Sequence, residues 1–154
     1  TNDSAGAVTR LVNMGIEPFL VTSSTIAIMA QRLVRKICNH CKETFIPEPE
    51  MVNELGAPVD DWESLRAWRG LGCEKCQQRG YFGRLGIFEL LVMTPQVQEL
   101  VVSGADSNMV KREARKEGMR TLREDGAVKA FNGKTTIEEV MRVTRDDVIE
   151  ELTE

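Results

Sequence analysis

All four cysteines of the chain fall in two pairs, Cys38 and Cys41 in "CNHC" and Cys73 and Cys76 in "CEKC", with residues 42 to 72 between them. Each CxxC folds into a tight turn that points two sulfurs at one spot. Two such turns brought together make a tetrahedron of thiolates, the arrangement a structural zinc ion prefers. Three other readings compete: a disulfide framework, iron in the same cage, and a CxxC redox pair. A chain that reads as helical and cytosolic has little need of disulfides to close its core. A redox pair is normally set at a helix N-terminus, where thiolate is favoured, whereas Cys38 is expected at a helix C-terminus. His40, the one histidine, stands inside the first pair and is a candidate to replace a cysteine, although four cysteines already fill a zinc shell. A site with four protein ligands leaves no position for water or substrate, so the metal reads as a staple.

Composition bounds the rest. With 154 residues, 42% hydrophobic and 29% charged, the chain can bury one moderate core or support two small units. A net charge of −4 argues against broad nucleic-acid binding, which takes its affinity from lysines and arginines meeting phosphates. No run approaches eighteen apolar residues, and "TNDSAGAVTR" has neither a basic n-region nor an apolar h-region, so neither a membrane span nor a signal peptide is expected. That favours the cytoplasm. The opening also lacks an initiator methionine and reads as part of something longer.

Along the chain, residues 3 to 14 read as a helix capped by Asp3 or Ser4 and stopped by Gly15. A second helix is expected through Ile26, Ala30, Leu33 and Ile37, with Arg32, Arg35 and Lys36 in its last turns, where positive charge suits the helix dipole. From Cys38 to Gly80 the turn-rich texture and both tryptophans, 62 and 68, read as a small insert, poor enough in core residues to need a metal to fold. "YFGRLGIFELLVM" then has the density of a mostly buried strand. Thr94 and Pro95 open a helix as N-cap and first residue, and "SG" at 103 and 104 closes it. Further helices are expected from Ser107 to Gly118, from Met119 to Gly133, and from Thr135, where Thr135 and Glu138 have the capping-box spacing. The acidic tail is expected to fray.

No catalytic set emerges. "NGKTT" at 132 to 136 has the end of a phosphate-binding Walker A loop but carries Val128 where the motif needs its first glycine, so Gly133 reads as a helix stop. In "GYFGRLG" the glycines at 80, 83 and 86 read mainly as turns, and Arg84 between two of them is sterically free to reach an anion or a neighbouring subunit. Glu89 inside an apolar strand needs a partner, with Arg84 or the cap of another element as candidates.

Taken in order, residues 1 to 43, then "GCEKCQQRGYFGRLGIFELL", then "EGMRTLREDGAVKAFNGKTTIEEVMRVT" closely resemble the C-terminal part of the type II secretion and type IV pilus assembly ATPases. The most specific elements are "AQRLVRKIC", "GRLGIFELL" after the second cysteine pair, and "GKTTIEEVMRVT". The resemblance implies an α/β fold: the C-terminal portion of a RecA-like ATPase domain with an inserted four-cysteine zinc subdomain and a C-terminal helical subdomain. Mapped onto this chain, residues 1–37 are the helical end of the ATPase core, 38–80 the zinc insert, 81–146 a strand plus the helical subdomain, and 147–154 an acidic tail.

In that family the zinc element maps onto Cys38, Cys41, Cys73 and Cys76, while the Walker A and B segments and the histidine box precede the residues seen here. The chain alone is therefore expected not to hydrolyse ATP. The parent is expected to be an ATP- and magnesium-dependent homohexamer, cytoplasmic and peripheral at the inner membrane through the cytoplasmic parts of secretion or pilus assembly proteins. Arg32 and Arg84 are candidates to touch a neighbouring subunit or its nucleotide. "SAGAVTRLVNMGIEPFLV" looks more like the secretion branch than the pilus branch. The rival from another class is an autonomous zinc-ribbon adaptor for protein or nucleic acid.

Overall fold

The computed structural model describes residues 2–56 and 65–145; Trp62 and the acidic tail lie outside the described residues. The chain is mixed α/β and divides into two compact units, residues 2–31 with 88–121, and residues 32–56 and 65–87 with 122–145.

In the first unit α1 (Ser4–Asn13) starts where its cap chemistry dictates: the Asp3 carboxylate accepts the Gly6 N–H at 2.7 Å, and Gly15 follows the helix at φ +90°. Helix α2 (Pro18–Ser24) has proline at its first position, whose missing N–H costs a helix start nothing. The expected helix through Ile26 and Ile37 is instead strand β1 (Ala27–Ile37). Ile28, Ala30, Arg32 and Val34 alternate inward, while Met29 and Leu33 are exposed. With only alanine and arginine at two of the inward positions, the period of two was masked by a fortuitous period of 3.6. Cys38 accordingly follows a strand, not a helix.

Strand β4 (Tyr81–Val92) pairs with β1 in a two-stranded sheet, and the division between units falls inside both strands. The strand is where the sequence puts it but is not mostly buried. Ile87, Glu89 and Leu91 are inside, whereas Phe88, Leu90 and Val92 lie outside. Helix α4 (Pro95–Val102) is capped by Thr94, whose hydroxyl accepts the Val97 N–H, and α5 (Ser107–Lys116) by Asp106. Ala5, Val8, Val21, Leu91, Val97, Val101, Val110 and Ala114 form one core. At its edge Glu89 is neither paired with Arg84 nor idle: its carboxylate accepts both the backbone N–H and the hydroxyl of Ser4, holding the first turn of α1. An acid suits that helix end. Close by, the Lys111 ammonium meets Asp3 at 3.0 Å, both buried.

In the second unit β2 (Lys42–Phe45) runs antiparallel to β3 (Ala67–Gly70), with α3 (Pro49–Glu54) between them in sequence. Helix α6 (Leu122–Phe131) begins three residues later than expected, and Gly133 ends its turn at φ +70°. The cap of α7 (Ile137–Val143) is Thr136, one residue on from the expected Thr135; the Thr135 hydroxyl donates to the Arg35 carbonyl instead. Leu55 and Ala67 share a core with Ala127, Ala130, Ile137 and Val140. Gly126 is forced by this packing, since a Cβ there would meet Val140 at 2.5 Å. The residues between the cysteine pairs thus borrow a core from α6 and α7. No helix among the described residues is long and apolar enough to cross a membrane.

Candidate metal centre

The four cysteines reach one point from two hydrogen-bonded turns. Cys38 leaves β1 and its N–H donates to the Gly80 carbonyl at 3.0 Å; the turn closes with Cys41 N–H on the Cys38 carbonyl. Cys73 stands before a short 3₁₀ turn (Glu74–Cys76), and the chain escapes through Gln77 and Gln78, both at positive φ. Gly70 and Gly80 lock the turns together: a Cβ on Gly70 would sit 2.1 Å from the Gly80 carbonyl oxygen, so only glycine permits this approach.

The result is a compact sulfur cluster. Sγ separations are 3.9 Å for Cys38 with Cys73, 3.9 Å for Cys41 with Cys76 and 3.7 Å for Cys73 with Cys76, and all four sulfurs lie within 4.8 Å of one another. A tetrahedron with vertices about 2.3 Å from its centre has edges of about 3.8 Å, so the donor set is compatible with zinc. Disulfides, at about 2.05 Å, do not describe it, and all four thiols are free. His40 is exposed and stands outside the cluster.

Backbone N–H groups supply the electrostatics. Gly72 donates to Cys41 Sγ at 3.3 Å, and Cys73 and Gly80 both donate to Cys76 Sγ at 3.2 Å. Burial pushes the Cys41 thiol up to about 11; the single Gly72 N–H acts downward without reversing it, and the hydrogen bonds with the neighbouring thiols add to the rise. For Cys76 burial also acts upward, but the Cys73 and Gly80 N–H groups outweigh it and bring the thiol down to about 6. Four thiolates this close repel one another, and a divalent metal bound among them offsets that repulsion. The glycines at 70, 72 and 80 went unassigned to the cluster in the sequence, where the pairs "GC" and "RG" flanking the second knuckle were the available signal.

The two arginines singled out from sequence are not brought together with the sulfurs by any contact. Arg32 donates to the Val143 carbonyl at 2.5 Å, capping the end of α7. Arg84 is exposed, with no ion pair to a described residue. A hub unseen in the sequence is Glu139, buried, which accepts from the Arg35 N–H and guanidinium and from Arg142. Burial alone would raise this acid, but the Arg142 and Arg35 hydrogen bonds prevail and hold it at about 2. Arg35 also lies over Tyr81, 4.1 Å from the ring centroid, and the Tyr81 hydroxyl meets Thr136 at 2.8 Å.

Residues 1–142 match the family described as type II/IV secretion system protein. The chain belongs to that family. It is 45% identical over 144 residues to the type IV pilus assembly ATPase PilB of Thermus thermophilus, covering 94% of this chain and 16% of that protein. It is 45% identical over 146 residues to the type II secretion system protein HxcR of Pseudomonas aeruginosa, covering 95% and 27%. To the type II secretion system ATPase E of Vibrio cholerae it is 43% identical over 146 residues, covering 95% and 28%. The chain thus spans less than a third of the length of each of these relatives.

Proposed function

We propose that this chain is the zinc-stapled, nonhydrolytic part of a secretion motor, the C-terminal portion of a RecA-like ATPase that powers pseudopilus assembly in type II protein secretion. One observation carries the reading: likeness to named ATPases runs through the four-cysteine segment and beyond it, over nearly the whole chain. Cys38, Cys41, Cys73 and Cys76 hold the ion, which supplies no reaction and ties the ends of β1 and β4 to the turns at Gly72 and Gly80. The exposed side of β4 at Leu90 and Val92 supports a larger body in the parent, because apolar sheet surface left in water is costly.

In the parent, a cytoplasmic homohexamer held at the inner membrane by its partners, ATP and magnesium are bound by other residues. This segment, with a zinc insert at 38–80, passes on the movement that hydrolysis drives. Arg84 is the better placed of the two arginines to meet a neighbouring subunit. Produced alone, the chain should hold zinc in equimolar amount and release no phosphate from ATP. Steady ATP turnover by the metal-free chain would contradict the proposal. The equal identity to the Thermus pilus ATPase favours a second reading, a pilus assembly motor. Restoration of secretion, rather than of pili, by the full-length parent in strains lacking each motor separates the two.

A further inference from the structure

The surface around the cysteine cluster differs in character from the chain as a whole. Although the chain carries −4, the residues bracketing the four cysteines expose Lys36, Lys75, Arg79 and Arg84. None of these four has an ion pair with a described residue, and Arg79 bonds only the neutral Gln77 side chain. Of the carboxylates within three residues of a cysteine, Glu43 pairs with Arg69 at 2.5 Å and Glu74 has no ion pair with a described residue. A zinc tetrathiolate beneath would subtract two charges, partly offset by the N–H donors on Cys41 and Cys76, and leave the outer rim positive. Leu71, next to Gly70, and Phe82, two residues after Gly80, are large apolar side chains left 63% and 66% exposed. The Gly70 and Gly80 backbones, in direct contact, bring the segments carrying them side by side.

We propose that this surface docks an acidic protein segment carrying a bulky apolar residue. The apolar residue packs on Leu71 and Phe82 while carboxylates meet Lys75, Arg79 and Arg84, a small apolar anchor flanked by charge pairs. A membrane is the poorer occupant. Both apolar side chains project from turns and a strand end, not from an amphipathic helix, and two of them offer little area for insertion. Nucleic acid is disfavoured by the overall negative charge.

The test uses the whole zinc-loaded chain, with metal content checked separately by atomic absorption so that loss of the metal and loss of docking are distinguished. The probe is a fluorescein-labelled peptide of alternating Glu and Asp around one Phe, read by anisotropy at low and physiological salt. Its Gln/Asn counterpart should bind roughly tenfold more weakly, as should the acidic probe to the Lys75→Glu, Arg79→Glu double variant. Replacing the peptide's Phe by Ser, or Phe82→Ser in the protein, should each weaken binding several-fold. Lys116→Glu, in α5 beside Glu113, should change nothing. Equal binding of the neutral peptide, or indifference to the double variant, overturns the proposal. So does binding to phosphatidylglycerol vesicles, lost in the double variant, without binding to the peptide. The peptide substitutions leave the protein untouched, so a poorly folded variant does not rescue the idea.

Discussion

Replacing Gly70 by alanine should damage the metal centre without touching a ligand. The added methyl would lie 2.1 Å from the Gly80 carbonyl oxygen and 2.7 Å from its carbonyl carbon and Cα, all backbone atoms that cannot rotate away. Reaching an ordinary contact of about 3.4 Å requires the two segments to part by about 1.3 Å. Gly80 is where the knuckles join, accepting from Cys38 N–H at 3.0 Å and donating to Cys76 Sγ at 3.2 Å. Losing both bonds costs about 1 kcal/mol each, and the overpacking itself about 1–3 kcal/mol, so the total should be about 3–5 kcal/mol. Gly83→Ala is the control: its φ of +81° makes alanine strained, but nothing lies within 4 Å of the added methyl, so the cost should be about 1 kcal/mol. Urea unfolding followed by tryptophan fluorescence reports the second unit through Trp68, whose indole N–H donates to the Phe131 carbonyl at 3.3 Å. Competition with a chromophoric chelator gives the zinc affinity of each variant. A Gly70→Ala protein no less stable than Gly83→Ala, with unchanged metal affinity, would refute the reasoning.

Three further perturbations separate the parts of the fold. Glu139 titrates at about 2 against roughly 4.5 unfolded, so its contribution is full above pH 4.5 and is lost as pH falls toward 2; its arginine partners are half exposed, which reduces the gain to about 2 kcal/mol. Glu139→Gln should lose that stability at pH 7 and flatten urea midpoints between pH 4.5 and 2. Chelation, or Cys73→Ser, should raise hydrogen exchange in residues 38–80 and also in α6 and α7, since Leu55 and Ala67 share their core, while α1, α4 and α5 keep their protection. Glu89→Leu should destabilise the first unit by about 1–3 kcal/mol, because the buried Ser4 N–H and hydroxyl lose their acceptor; Ser4→Ala in the same background should recover part of the loss, measured by thermal unfolding of the double-mutant cycle.

What could be read from the sequence was local chemistry. Asp3, and Thr94 with Pro95, announce helix starts within a turn of their own positions, and the CxxC spacing announces sulfurs that converge. What escaped depended on partners far along the chain. Strand β1 was hidden because Arg32, on its inward side, is made tolerable there by a carbonyl 111 residues away. The choice of Thr136 over Thr135 as cap follows from the Arg35 carbonyl, which takes the Thr135 hydroxyl. Nothing in the local pattern sets Glu139 apart from Glu138; what holds it are two arginines, one of them 104 residues distant. The need for glycine at 70 lies wholly in the backbone of residue 80.

The central claim is that four thiolates hold one zinc ion, and X-ray absorption at the zinc edge on the purified chain tests it most directly. One zinc per chain with a single shell of four sulfurs at about 2.3 Å is the predicted result. A nitrogen or oxygen in the shell, or a metal-free chain whose cysteines have closed into disulfides, would contradict it.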